Sequence, residues 1–96
     1  MASPLDPIRR EVAAFLAGGA YAPLRAVVVD AAASVDEDAR LTEAERDWFD
    51  ELYDAVYMGG EDPVSPSDAR AGILGAAALR VHLRELGLDR FRAPPA

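Results

Sequence analysis

The stretch TEAERDWFDELYDAVYMGG, residues 42–60, decides the fold, because it contains one amphipathic helix together with both of its boundaries. Thr42 and Glu45 have the spacing of a capping box, in which the hydroxyl and the carboxylate each bind a backbone N–H at the helix start. Gly59-Gly60 is expected to stop the helix after Met58. The pattern therefore predicts a helix between these two signals.

The two halves of this helix differ in chemistry. On a helical wheel, one half holds the aromatic and aliphatic residues Trp48, Phe49, Leu52, Tyr53, Val56 and Tyr57. The other half holds the carboxylates Asp47, Asp50, Glu51 and Asp54. Tyr53 and Tyr57 stand at the boundary between the halves, one helical turn apart. The apolar half is typical of a helix that packs on a core, and the acidic half is typical of a charged surface.

Two helices are predicted on the N-terminal side of this stretch. Asp6-Pro7 opens the first, with Asp6 as the N-cap, and Gly18-Gly19 ends it. Residues 23–34 are predicted to form the second, because their apolar residues share one face and several are alanines. The three valines at 27–29 also fit a short buried strand, but no second β-rich run exists to pair with it.

A last helix is predicted to open at Ser65-Pro66 and to end at Gly87. Gly72 and Gly75 lie inside it and mark a bend or a close helix crossing. Its apolar residues are Ile73, Leu74, Ala77, Leu79, Val81, Leu83 and Leu86. The predicted fold is all-α, a small antiparallel four-helix bundle in a single domain over residues 1–96, with frayed ends at 1–5 and 93–96.

Negative charge is concentrated in the middle of the chain. Residues 30–62 hold twelve of the seventeen acidic residues and only two arginines, a local formal charge of −10 against −7 for the whole chain. A field of this kind attracts basic partners and disfavours direct binding of nucleic acid. Two predicted loops add carboxylates to those of the central helix, Asp36, Glu37 and Asp38 in one and Glu61 and Asp62 in the next.

The sequence contains no pattern typical of catalysis or metal binding. It has no cysteine, which excludes cysteine nucleophiles and thiolate metal sites. His82 is the only histidine, and with Glu85 three positions later it provides too few ligands for a metal. The carboxylates at 36–38 lack the glycine and glutamate spacing of a calcium loop. We therefore expect no enzyme activity, no metal and no cofactor.

The acidic residues and the boundary tyrosines form a candidate surface for a basic protein partner. Tyrosine beside carboxylates is typical of interfaces, because it adds contact area and a hydrogen bond at little entropic cost. The alternative is that both tyrosines only close the rim of the core and that the acids keep the surface soluble. The candidate residues are Asp36, Glu37, Asp38, Asp47, Asp50, Glu51, Tyr53, Asp54, Tyr57, Glu61 and Asp62.

Three segments of the chain resemble the family of colicin D immunity proteins. They are VAAFLAG at residues 12–18, LYDAVY at 52–57 and LRVHLREL at 79–86, and the similarity extends over residues 8–86. The resemblance implies an acidic four-helix bundle that binds a toxic nuclease domain. It also implies that an acidic patch covers the RNA-binding surface of that nuclease.

Two function hypotheses follow. The first is a non-enzymatic binding protein that inhibits a basic partner, such as an immunity protein or antitoxin for a nuclease toxin. The alternative is a structural or accessory subunit of a larger, self-associating bacterial assembly. In either case we expect a cytoplasmic protein, because no leader opens the chain and no apolar run approaches the roughly 20 residues that span a bilayer. We also expect it to be monomeric or weakly homo-oligomeric.

Overall fold

The computed structural model describes residues 4–88, and this part of the chain forms five helices. They are α1 (Asp6–Leu16), α2 (Tyr21–Glu37), α3 (Glu43–Tyr57), α4 (Pro66–Arg70) and α5 (Ala76–Glu85). The all-α prediction is confirmed, and residues 27–29 lie inside α2 instead of in a strand. The number of helices differs from the predicted four, because the last predicted helix is broken in two.

The N-terminal boundary of α1 lies one residue earlier than predicted. Leu5, and not Asp6, occupies the N-cap position, and Asp6 is the first residue of the helix. Its carboxylate lies 3.8 Å from the guanidinium of Arg9, one turn later. Leu5, expected in a frayed start, is fully buried, while residues 1–3 and 93–96 lie outside the described residues. At the other end, Gly18 has a φ of +108° and ends α1 as predicted.

Helix α2 is longer than predicted at both ends. It begins at Tyr21 and continues to Glu37, so Asp36 and Glu37 lie in its last turn and not in a loop. Val35 explains the extension, because it is buried and continues the stripe that starts with Leu24 and Val28. The prediction of a loop from residue 34 is therefore wrong for this turn.

Helix α3 forms as the sequence predicts and lies at the centre of the core. The Thr42 hydroxyl accepts from the Glu45 N–H at 3.1 Å, and the Glu45 carboxylate accepts from the Thr42 N–H at 3.0 Å. The buried side chains of α3 are Glu45, Trp48, Phe49, Leu52, Ala55 and Val56. Helix α2 packs against α1 and α3, and α5 packs against α3.

Glycines break the last predicted helix between α4 and α5. Gly72 has a φ of +88°, which a side chain rarely tolerates, and Gly75 becomes the N-cap of α5. The break changes which residues face the core. Ala76, Leu79 and Leu83 are buried, whereas Ala77, Val81 and Leu86, which the sequence assigned to the apolar content of this helix, are exposed.

The chain after α3 is joined to the segment before α5. The Leu74 N–H donates to the Met58 carbonyl, and the Gly60 N–H donates to the Leu74 carbonyl, each at 2.8 Å. Glycine at residue 59 is explained by packing and not by its backbone conformation, because its φ is not positive. A Cβ at Gly59 would lie 2.7 Å from a methyl of Leu79 and 2.9 Å from the Tyr21 ring.

The C-terminal end of α1 is held by arginines of α5. Arg80 donates from Nε to the Phe15 carbonyl at 2.8 Å and from a terminal nitrogen to the Gly19 carbonyl at 2.9 Å. Its guanidinium lies 4.7 Å from the centre of the Phe15 ring. Arg84 donates to the Leu16 carbonyl at 2.9 Å. Cations are favourable there, because the last carbonyls of a helix carry partial negative charge.

We predict that Arg80→Met lowers the free energy of unfolding by about 1–3 kcal/mol, since it removes two hydrogen bonds from a charged donor while keeping an apolar stem. The matched control is Arg70→Met, at an exposed position of α4, for which we expect a change below about 0.5 kcal/mol. Urea unfolding followed by circular dichroism measures both. Equal stabilities of the two variants would contradict the assigned role of Arg80.

Candidate protein interface

Glu61, predicted as an interface residue, caps a helix. Its Oε1 accepts a hydrogen bond from the Ala22 N–H at 3.0 Å, 39 positions earlier in the chain. Ala22 lies in the first turn of α2, whose N-cap residue Ala20 offers no side-chain acceptor. The carboxylate therefore satisfies a free N–H at the positive end of the helix dipole.

Asp62 has the equivalent position at α5. Its Oδ2 accepts from the Ala77 N–H at 3.0 Å, and the N-cap of α5, Gly75, has no side chain to do so. Glycine is required there, because a Cβ would overlap Asp62 Oδ1 and would lie 3.1 Å from a methyl of Val64. Glu61 and Asp62 are neighbours in sequence that cap two different helices.

Asp38 is engaged at the turn between α2 and α3. Its carboxylate accepts from the Arg40 N–H at 2.9 Å and from the Arg40 guanidinium at 3.0 and 2.7 Å. These bonds, first those of the side chain and then that of the backbone, lower the pKa of Asp38 to about 2. Arg46 donates to the Asp38 carbonyl at 2.7 Å and so satisfies an acceptor at the C-terminal end of α2.

The four carboxylates of α3 that the sequence assigned to the interface have a different environment. Asp47, Asp50, Glu51 and Asp54 are all exposed. Within residues 4–88, none of these four side chains takes part in a hydrogen bond or an ion pair, although arginines pair with Asp6 and Asp38 elsewhere. No cation of this part of the chain therefore pairs with them.

Aromatic rings form a ladder along the edge of α3 that faces α2. The rings of Phe49 and Tyr53 have centroids 6.3 Å apart, and those of Tyr53 and Tyr57 are stacked at 6.2 Å with 15° between their planes. Tyr53 is half-buried, whereas Tyr57 is 58% exposed. Arg25 of α2 lies 5.8 Å from the centre of the Tyr57 ring. Stacking on Tyr53 and the contact with Arg25 restrict the orientation of the exposed Tyr57 ring.

The α2–α3 groove lies beside this ladder and has a volume of about 270 Å³. Its lining residues are Ala32, Asp36, Phe49, Asp50 and Tyr53. The groove brings together two predicted carboxylates, one from each helix, with one predicted tyrosine. The longer α2 explains this arrangement, because Asp36 belongs to its last turn.

The α3–α5 groove lies on the opposite edge of α3 and has a volume of about 380 Å³. Its lining residues are Glu51, Asp54, Ala55, Met58, Gly72, Leu74, His82 and Leu86. Two predicted carboxylates border it, and the rest of the lining is mainly apolar. Sequence reasoning missed the groove, because Gly72 and Leu74 reach it only after the break between α4 and α5.

The structure thus separates the predicted residues into groups. Asp36, Asp50 and Tyr53 meet in one groove, Glu51 and Asp54 border the other, and Glu37 and Asp47 are exposed outside both. Glu61 and Asp62 cap helix N-termini, and the Asp38 carboxylate binds Arg40 in the turn after α2. In the described part of the chain, no group of three or more histidine, aspartate or glutamate side chains has an arrangement that would hold a metal ion.

Comparison with known proteins finds no matching family model, no matching curated protein and no matching solved structure. The resemblance to the colicin D immunity proteins therefore stays a prediction. None of the helices between residues 4 and 88 has the length and apolar character needed to cross a bilayer.

We predict that Asp62→Ala and Gly75→Ala each lower the free energy of unfolding by about 0.5–2 kcal/mol, because both remove the cap of α5. The double variant should lose clearly less than the sum, since the alanine methyl at residue 75 already displaces the carboxylate. Urea unfolding of the four proteins measures the coupling. Strictly additive losses would contradict the shared cap.

We predict that the pKa of Asp38 lies about 2 in the folded protein and rises toward the ordinary aspartate range in Arg40→Gln. A folded pKa below the unfolded one adds stability that is complete above the unfolded pKa of about 4 and is lost as the pH falls toward 2. Carboxyl-carbon NMR titration measures the pKa. Arg70→Gln is the control, and an unchanged Asp38 midpoint in Arg40→Gln would contradict the assignment.

Proposed function

We propose that this protein binds a basic protein partner through the exposed carboxylate face of α3. The observation that carries the proposal is the difference between the carboxylates. The carboxylates of Glu61, Asp62 and Asp38 have partners within the chain. The four exposed carboxylates at positions 47, 50, 51 and 54 of α3 have none among the described residues. Unpaired like charges on one helix face repel one another and oppose folding. Binding of a basic partner would relieve this repulsion and would therefore be favourable.

The position of these charges favours fast association. Exposed charges act over about one Debye length, roughly 8 Å at physiological ionic strength, and so attract a basic surface before contact. Complementary charge raises association rates about 10- to 1,000-fold at low salt. Once contact is made, short-range groups beside the acids must hold the partner.

Tyr57 and Tyr53 are the short-range groups that we assign to this role. Tyr57 is a largely exposed aromatic side chain, and its stacking on Tyr53 fixes its orientation. A tyrosine that is already ordered loses little side-chain entropy when it is buried in an interface. Contact through both charge and aromatic rings is typical of residues that dominate binding energy.

An immunity protein or antitoxin for a nuclease toxin is the particular form of this function that the resemblance to the colicin D immunity proteins favours. In that form, the protein is a small antiparallel helical bundle, and its acidic α3 face covers the surface with which the toxin binds RNA. Nucleases that bind RNA carry basic surfaces, so the charges are complementary.

Capture at low salt from a lysate of the organism that encodes the chain tests the proposal. The test variant neutralises the α3 face through Asp47→Asn, Asp50→Asn, Glu51→Gln and Asp54→Asn. A matched control removes the same charge away from α3 through Glu11→Gln, Asp30→Asn, Asp68→Asn and Glu85→Gln. We expect wild type and control to retain a basic protein that the test variant loses.

The retained protein is then purified, and its association rate is measured across ionic strength. We expect the rate to fall about tenfold or more from low to high salt, since steering by exposed charge is screened. Equal loss of the partner by test variant and control would show that only net charge matters. An association rate that does not depend on salt would also contradict the proposal.

A second candidate function, an accessory subunit, is supported by the exposed side of α2. Val29 is 44% exposed there and borders a shallow depression of about 480 Å³ together with Ala22 and Ala26. Gly72 and Gly75 do not support this candidate, because both glycines have another structural reason. Gly72 has a positive φ in the turn between α4 and α5, and Gly75 leaves room for the Asp62 carboxylate. Concentration-dependent self-association in sedimentation, with no captured partner, would favour this candidate.

A further inference from the structure

The α3–α5 groove combines two chemistries in one depression. Glu51 and Asp54 of α3 supply two carboxylates on one side. Met58, Leu74 and Leu86 supply apolar surface, and His82 completes the wall on α5. Among the described residues no arginine lines the groove, so no guanidinium of this part of the chain faces its carboxylates.

Part of the apolar lining of the groove is not used by the core. Met58 is 37% exposed and Leu86 is 42% exposed, although most other large apolar side chains in the described residues are buried. Exposed apolar surface beside charge is typical of a binding surface. The groove therefore has apolar and acidic surface that no contact within the described chain satisfies.

Only one kind of side chain matches both parts. Lysine and arginine have an apolar stem and a cationic head, and they bury the stem while the head stays at a polar site. An apolar occupant would leave two carboxylates desolvated without partners, and an anion would be repelled. A volume of about 380 Å³ is at the lower end of small-molecule sites, which suits one side chain better than a folded segment.

The α2–α3 groove is less suited to the same occupant. It is smaller, at about 270 Å³, and its apolar lining comes from Phe49, which is already buried in the core. The aromatic ladder beside it also has a cation of its own, since Arg25 lies over the Tyr57 ring. In the α3–α5 groove, by contrast, Met58 and Leu86 are exposed, and no described arginine lies beside the carboxylates.

We propose that the α3–α5 groove binds one lysine or arginine side chain of the basic partner. The stem would lie on Met58, Leu74 and Leu86, and the head would lie between Glu51 and Asp54. This inference rests on the proposed function and names the part of the partner that the surface recognises. The rest of the α3 face would attract the partner, and the groove would fix its register.

The groove is already formed in the absence of a partner. Leu74 is held by two main-chain hydrogen bonds, with Met58 and with Gly60. The Asp62 cap fixes the start of α5, which carries His82 and precedes Leu86. A formed groove does not have to lose backbone entropy when a side chain enters it.

NMR titration with small probes tests the groove directly. The probes are N-acetyl-arginine methylamide and N-acetyl-lysine methylamide, with N-acetyl-norleucine methylamide as a neutral control of similar stem length. Carbon-13 methyl spectra report on the groove. We expect saturable shifts of the Met58, Leu74 and Leu86 methyl signals with the basic probes and much weaker binding of the neutral one.

Charge variants separate the groove from the general field of the helix. Glu51→Gln and Asp54→Asn should each weaken binding of the basic probes about twofold to fivefold, the usual value of one exposed ion pair. Glu43→Gln makes the same charge change on α3 outside the groove and should leave binding within about a factor of 1.5. Met58→Ser should also weaken binding, and amide spectra of each variant verify that it is folded.

Three results would overturn the inference. Shifts of the basic probes centred on Phe49 and Tyr53 would place the site in the α2–α3 groove and leave the proposed function intact. Equal weakening by Glu43→Gln and Glu51→Gln would show that only the field of the helix attracts the probes. The absence of any saturable shift would exclude a side-chain site in this groove, while capture of a basic protein would still decide the proposed function.

Discussion

The fold depends on charged side chains that satisfy the ends of helices far from them in sequence. The N-terminal end of α2 binds Glu61, that of α5 binds Asp62, and the C-terminal end of α1 binds Arg80 and Arg84. Helices of this length are marginal in isolation, because their free N–H and C=O groups must otherwise bind water. Each such contact joins one helix end to another part of the chain, so the helices stabilise one another.

The signs of these contacts follow the helix dipoles. Carboxylates are placed at N-terminal ends and guanidinium groups at C-terminal ends, where each opposes the partial charge of the backbone. The negative region that the sequence shows between residues 30 and 62 is therefore not one uniform patch. After the capping acids and Asp38 are set aside, the other carboxylates of α3, Asp30 of α2 and the two carboxylates in the last turn of α2 are the part of this charge that faces solvent.

Features encoded by residues close together in sequence were predictable, and features that join distant residues were not. Helix α3 has its capping box and its amphipathic pattern within a few turns, so its position and its faces followed from the sequence alone. The capping roles of Glu61 and Asp62 depend on N–H groups 39 and 15 positions away. The two grooves likewise need the packing of α2 and α5 against α3, which apolar periodicity does not specify.

The same long-range contacts make a binding role for α3 physically reasonable. A surface of like charges on an isolated helix would weaken that helix, but α3 is fixed by its capping box, by its buried aromatic residues and by the Tyr21 hydroxyl, which donates to the Val56 carbonyl. These contacts stabilise α3 against the repulsion among its exposed carboxylates. Because the α3–α5 groove borders two of them with apolar surface, a cation there would be partly shielded from water and salt, and its attraction to the carboxylates would be stronger than on an open helix face. In the proposed function, charge on the open face would govern how fast a basic partner arrives, and the groove would govern which side chain the partner must present.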